Sequence, residues 1–206
     1  LFRERLRLTK NHGRIGSYRT KNLFQKELNL AATRKSNLIL IGMPGAGKST
    51  VGVVLAKRLG FHFLDTDLII QAQENCRLQQ IIDSRGLETF RRIEEQILLG
   101  LFTEHCIIAT GGSVVYSREG IKALGRTGYQ IYLQVPLPQL QQRIADMGQR
   151  GLVMPKGQSF EQLYTERTPL YEKFADLTIA CGDLNAEQVA AKIETEVLRR
   201  WPELSA

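Results

Sequence analysis

The chain has 206 residues, of which 43% are apolar and 24% charged, enough for one buried core and the balance of a soluble globular protein. Its formal charge of +7 is uneven: residues 1–35 hold ten Lys or Arg against two Glu, leaving 18 basic and 19 acidic side chains for 36–206. The main body is therefore near neutral, which removes the charge argument for a nucleic-acid-binding domain, and no apolar run approaches the roughly 20 residues of a membrane helix.

Residues 1–35 show no sustained apolar period and are interrupted by Asn11-His12-Gly13-Arg14-Ile15-Gly16, so this basic extension is expected to be disordered apart from a short helix near Leu23 to Leu30. An organelle transit peptide, an arm for nucleic acid or an acidic partner, and upstream sequence without a function of its own compete here. Low acidity and arginine favour the first, and sparse serine opposes it. The first methionine is Met43, and a fragment or an unsettled start is the economical expectation.

From residue 36 a single domain is expected. Asn37 to Ile41 reads as a buried strand, Gly42 to Thr50 as a glycine-rich loop and Val51 to Leu59 as a helix stopped by Gly60. Further strands are predicted at Phe61 to Leu64, Cys106 to Ala109, Tyr129 to Val135 and Leu177 to Ala180. Helices are predicted at Leu68 to Glu74, Leu78 to Ser84, Leu87 to Glu104, Ser117 to Leu124, Pro138 to Met147, Ser159 to Arg167 and Asn185 to Arg200. Ser159 with Gln162 and Asn185 with Gln188 have capping-box spacing. Strands alternating with helices imply an α/β fold, three layers α/β/α around a five-stranded parallel sheet, with ligands outside the carboxyl ends of the strands. Cys76, Cys106 and Cys181 are odd in number, far apart and without histidines at ligand spacing, so reduced thiols in the cytoplasm are expected rather than a disulfide or zinc framework.

The loop Gly42-Met43-Pro44-Gly45-Ala46-Gly47-Lys48-Ser49-Thr50 has the spacing of a phosphate-binding loop. Glycines let successive backbone N–H groups turn toward one anion, and the following helix adds its positive end. Lys48 would reach the β- and γ-phosphates of a nucleoside triphosphate, and the Ser49 hydroxyl would hold Mg²⁺. At the second strand end, Asp65 and Asp67 can divide two tasks, accepting from a metal-bound water and orienting or deprotonating a hydroxyl; either could instead cap the next helix. Gly111-Gly112 permits close backbone approach to a small molecule, or forms a turn without a ligand. Arg91 and Arg167 offer guanidinium forks for an anionic substrate, against the default of surface arginines paired with glutamate. Arg150 and Lys156, in a glycine-rich loop over 148–158, suit a lid that excludes water.

In this order the motifs resemble the shikimate kinase family over nearly all of 37–180: the phosphate loop, Phe63-Leu64-Asp65-Thr66-Asp67, Phe90-Arg91-Arg92-Ile93-Glu94-Glu95, Gly111-Gly112, Arg143, Arg150, and Arg167-Thr168-Pro169-Leu170-Tyr171. The resemblance implies a P-loop fold similar to nucleoside monophosphate kinases, with a lid at about 148–158, and transfer of phosphate from ATP to the 3-hydroxyl of shikimate on the route to aromatic amino acids. It implies phosphate contacts from Gly45, Ala46, Gly47, Lys48, Ser49 and Thr50, metal contacts from Ser49 and Asp65, and catalysis by Lys48, Asp67 and Arg150. Asp67, Arg91, Gly111, Gly112 and Arg167 would hold shikimate, Arg143 would stack on adenine, and Arg150 would meet the γ-phosphate. ATP and Mg²⁺ are the implied cofactors, with no nucleic acid or membrane partner and a monomeric state. Two positions depart from the family pattern: Ser113 stands where a third glycine is usual, and Gly151 follows the lid arginine where proline is usual. They leave open a kinase for another polyhydroxylated acid, such as gluconate. A non-catalytic ligand-sensing domain on the same fold is the remaining reading.

Overall fold

The computed structural model describes residues 35–147, 154 and 157–205. The basic extension falls outside these apart from Lys35, as do Arg150, Gly151 and Lys156.

Five strands form one parallel sheet: β1 (Asn37–Ile41), β2 (His62–Asp65), β3 (Cys106–Ala109), β4 (Gly128–Gln134) and β5 (Leu177–Ala180), in the spatial order β2-β3-β1-β4-β5. The eight helices among the described residues are α1 (Lys48–Leu59), α2 (Thr66–Glu74), α3 (Leu78–Arg85), α4 (Leu87–Leu99), α5 (Arg118–Thr127), α6 (Leu137–Met147), α7 (Phe160–Phe174) and α8 (Ala186–Arg200). Every residue of β1 and β3 is buried, as expected where helices cover both faces and leave a central strand no polar side. Helix α1 packs against α8, and α4 against α5. A small second core of Ile70, Leu78, Ile81, Phe90, Ile93 and Ile97 joins α2, α3 and α4 beyond the sheet edge. It fixes α4, and so the position of Arg91.

The expected architecture holds, and the differences are local. Helix α1 begins at Lys48 rather than Val51, because Gly47 turns the chain into it in the left-handed conformation. Helix α4 ends at Leu99, where the Gly100 N–H closes the last turn, so Leu101 lies past the helix and packs on the main core. Helix α7 continues beyond Arg167 through Pro169 to Phe174. The N–H that Pro169 lacks would have met the carbonyl of Thr165, an exposed residue whose carbonyl water can serve. Both predicted capping boxes are present, with Ser159 accepting from the Gln162 N–H and Asn185 from the Gln188 N–H.

Because β2, β3 and β1 are neighbours, the three loops at their carboxyl ends lie side by side. These carry Asp65 to Asp67, Gly111-Gly112 and the Gly42 to Thr50 loop, and β1 is where the chain's path across the sheet reverses.

Candidate active site

The loop after β1 is held open by backbone conformations that favour glycine. Gly45 has φ +78° and Gly47 φ +88°, and Gly47 precedes α1 with no side chain capping the helix. The first-turn donors of α1 are thus left to an external acceptor. Lys48 is buried, and its Nζ donates to the carbonyls of Gly42 and Met43, each at 2.9 Å. Ser49 and Thr50 are exposed. Arg143 on α6 reaches back to the Gly45 carbonyl through Nη1 at 3.4 Å. Beside the loop lies a cavity of about 380 Å³ lined on one side by Gly45 to Gly47 and Arg143, and on the other by Leu184 and Asn185.

Asp65 caps α2: its Oδ1 accepts the Asp67 N–H at 2.9 Å and the Leu68 N–H at 3.4 Å. Capping and a metal role do not exclude each other, since the described residues give Oδ2 no partner. Ser49 in the first turn of α1 and Asp65 at the end of β2 supply hard oxygen atoms, which fits Mg²⁺. Among the described residues no cluster of three His, Cys, Asp or Glu could cage an ion. The donor set therefore suits a cation that keeps most of its water and phosphate ligands.

Across from the loop, Gly111-Gly112 is clamped from two sides. The Gly111 N–H donates to Thr66 Oγ1 at 3.2 Å, and Tyr171 Oη donates to the Gly112 carbonyl at 2.6 Å. A Cβ on Gly111 would lie 2.7 Å from both Asp67 Oδ1 and Glu94 Oε1. Two carboxylates thus press on the one residue that leaves them room. Arg167, nearly sealed at 1% exposure, reaches the same turn, with Nη1 3.1 Å from where a Gly112 Cβ would stand. Arg91 is half-buried; Nη1 bridges Glu88 at 3.2 Å, while Nε is buried without a partner among the described residues.

Burial dominates the electrostatics. It draws Lys48 down to about 8, with Arg167 acting the same way and Asp67 and Asp65 opposing. It raises Asp67 to about 6, with Asp65 adding and Lys48 opposing. It raises Glu94 to about 7; Asp67 adds to this, while the hydrogen bond from Ser113, Arg167 and Arg91 oppose it. Shifted acid and base groups at a sheet's carboxyl edge are the pattern of a working site.

The structure thus brings together Lys48, Asp65, Asp67, Gly111, Gly112 and Arg167 from the carboxyl ends of three strands and α7, with Arg91 joining from α4. Arg167 is buried rather than a surface ion-pair arginine, whereas Arg91 does pair with Glu88. Ser113 is also buried, and its hydroxyl donates to Glu94 Oε1 at 2.8 Å, so the departure from glycine is absorbed by a specific partner. Sequence reasoning singled out neither Glu94 nor Tyr116. Glu94 could have been found, since a glutamate one turn after Phe90 lies on the apolar stripe of α4 with Ile93 and Ile97. Tyr116 left no periodic signal.

Comparison with known proteins agrees with this geometry. The family model described as shikimate kinase matches residues 44–198. A shikimate kinase from Vibrio vulnificus is 37% identical over 162 residues, covering 77% of this chain and 94% of the relative. Among solved structures, a shikimate kinase from Acinetobacter baumannii in complex with shikimate superposes with a TM-score of 0.74 at 30% identity, over 84% of this chain and 98% of that one. The shikimate kinase from Aquifex aeolicus gives 0.70 at 28% identity, over 80% and 97%.

Proposed function

This chain belongs to the shikimate kinase family, and from that premise we propose that it transfers the γ-phosphate of ATP to the 3-hydroxyl of shikimate. The observation that carries the proposal at the level of chemistry is the meeting of Lys48, Asp67 and Gly111-Gly112 between a phosphate-binding loop and two arginines. ATP lies with its phosphates on the first turn of α1 and its base toward Arg143, beside the cavity that runs to Leu184 and Asn185. Lys48 exchanges its two carbonyl partners for phosphate oxygens. Ser49 and, through water, Asp65 would hold Mg²⁺, which when bound neutralises charge on the phosphate oxygens.

On the acceptor side, Arg91 and Arg167 take the carboxylate, the Gly111-Gly112 backbone approaches the ring, and Asp67 accepts the proton of the attacking hydroxyl. A carboxylate raised to about 6 is a better base than an ordinary aspartate and is still ionised at neutral pH. Phosphoryl transfer needs little covalent help, so positioning and charge complementarity supply most of the rate. The cytoplasm is the proposed setting; Cys106 and Cys181 are buried, and all three thiols are unpaired.

The test is a coupled ADP-release assay of the purified protein against shikimate, gluconate and other hydroxy acids. Turnover with shikimate, lost in K48A and slowed about 10²–10⁴-fold in D67N, is expected. Folded protein that releases ADP only with another acid would refute the substrate assignment.

A further inference from the structure

Two guanidinium groups repel each other, and nothing in α4 or α7 alone brings Arg91 and Arg167 to one place. What joins them is Tyr116, in the 3₁₀ turn Val114–Tyr116 that follows Gly111-Gly112. The Arg91 Cζ lies 4.6 Å from the centroid of its ring and the Arg167 Cζ 5.0 Å from it. Arg167 Nε also donates to Tyr116 Oη at 3.3 Å. The phenol is itself tethered: Oη donates to Glu166 Oε1 at 2.6 Å, and Gln158 Nε2 donates to Glu166 Oε2 at 2.7 Å. One electron-rich ring thus faces both cations, and a carboxylate next to Arg167 orients that ring. Aromatic faces attract guanidinium groups most strongly where water is partly excluded, as at this half-buried ring.

We infer that Tyr116 is the positioning residue for the acceptor's carboxylate, holding Arg91 and Arg167 as one anion-recognising pair and so setting selectivity for an acidic over an uncharged substrate. The inference rests on the shikimate kinase reading for the identity of the acceptor. It makes Tyr116 neither a substrate contact nor a participant in the chemistry. Its removal should therefore weaken recognition of the carboxylate and leave the nucleotide side alone.

The experiment measures shikimate binding by calorimetry, and kcat and KM for shikimate, shikimate methyl ester and ATP, in wild type, Y116F, Y116L and Y116Q. Thermal unfolding confirms which variants are folded. Y116L and Y116Q are expected to raise Kd and KM for shikimate about tenfold, with KM for ATP within about twofold and kcat within about threefold. The ester, lacking the charge, should be nearly unaffected, so the acid-to-ester preference falls about tenfold. Y116F keeps the ring that both guanidinium groups face and should stay within about threefold of wild type. If neither non-aromatic variant folds, Y116F compared with Y116M carries the test in the same readouts. Unchanged shikimate affinity in a folded non-aromatic variant, or equal losses for acid and ester, overturns the inference. Wild type that binds shikimate without phosphorylating it refutes the kinase reading and leaves the Tyr116 result standing on affinities; wild type that does not bind shikimate overturns both.

Discussion

Replacing Ser113 by alanine removes the hydroxyl that donates to Glu94 Oε1 at 2.8 Å, and both residues are 1% exposed, so water cannot take its place. The cost depends on the charge of Glu94. A hydrogen bond to an ionised group contributes about 1.5–3 kcal/mol, and one between neutral groups about 0.5–1.5 kcal/mol. Glu94 is raised by burial to about 7, so it is mostly protonated at pH 5.5 and ionised at pH 9. The sign follows from the direction of the shift. A carboxyl whose folded value lies above its unfolded one favours the folded state most below the unfolded value, and loses that contribution as pH rises through about 7. Ser113 opposes the rise, so S113A moves Glu94 still higher and its penalty emerges on the alkaline side. Urea unfolding of wild type and S113A should give a difference of about 1 kcal/mol at pH 5.5 and about 2–3 kcal/mol at pH 9. Comparing variants cancels the titration of Lys48 and Asp67. In an E94Q background the S113A cost should not vary with pH. An equal loss at both pH values in the Glu94 protein would refute the reasoning.

Three other outcomes follow from the same geometry. In G111A the new methyl would stand 2.7 Å from the Asp67 and Glu94 oxygens, so kcat should drop about a hundredfold with thermal unfolding shifted by only a few degrees, read by steady-state kinetics and a melt. The kcat/KM profile for shikimate should fall below about pH 6, as Asp67 takes up its proton, and above about pH 8, as Lys48 loses one; D67N should lack the acid limb and turn over 10²–10⁴-fold more slowly. R143A should raise KM for ATP about tenfold while leaving that for shikimate unchanged, because Arg143 borders the nucleotide cavity and not the Gly111-Gly112 turn.

The sheet was legible because Leu38 to Ile41 of β1 and all of β3 are apolar runs, the signature of burial on both faces. The phosphate loop was legible because its glycines and lysine occur at a spacing set by phosphate geometry. Arg167 was harder. It lies four residues after Leu163 and four before Tyr171, on the buried stripe of α7, yet a charged side chain on such a stripe reads as exposed unless its partners are known. Tyr171 lies one turn along the same helix, but Tyr116, whose ring and hydroxyl meet the guanidinium, comes from the turn after β3. Glu94 showed its burial by its place on the apolar stripe of α4, but the Ser113 hydroxyl, the arginines and the neighbouring aspartate that define its environment are assembled only by the fold. Pro169 misplaced a helix end because local propensity forbids what an exposed carbonyl tolerates. The roles expected for Arg150 and the 148–158 lid lie largely outside the described residues.

If Lys48 and Asp67 serve a phosphoryl transfer to one hydroxyl of shikimate, the product reports it. Shikimate incubated with ATP, Mg²⁺ and the full chain should yield a single monoester whose phosphorus–proton coupling by NMR places phosphate on O3, with no product from K48A. Phosphate on another oxygen, or ATP hydrolysis with shikimate left unmodified, would rule out these roles for Lys48 and Asp67.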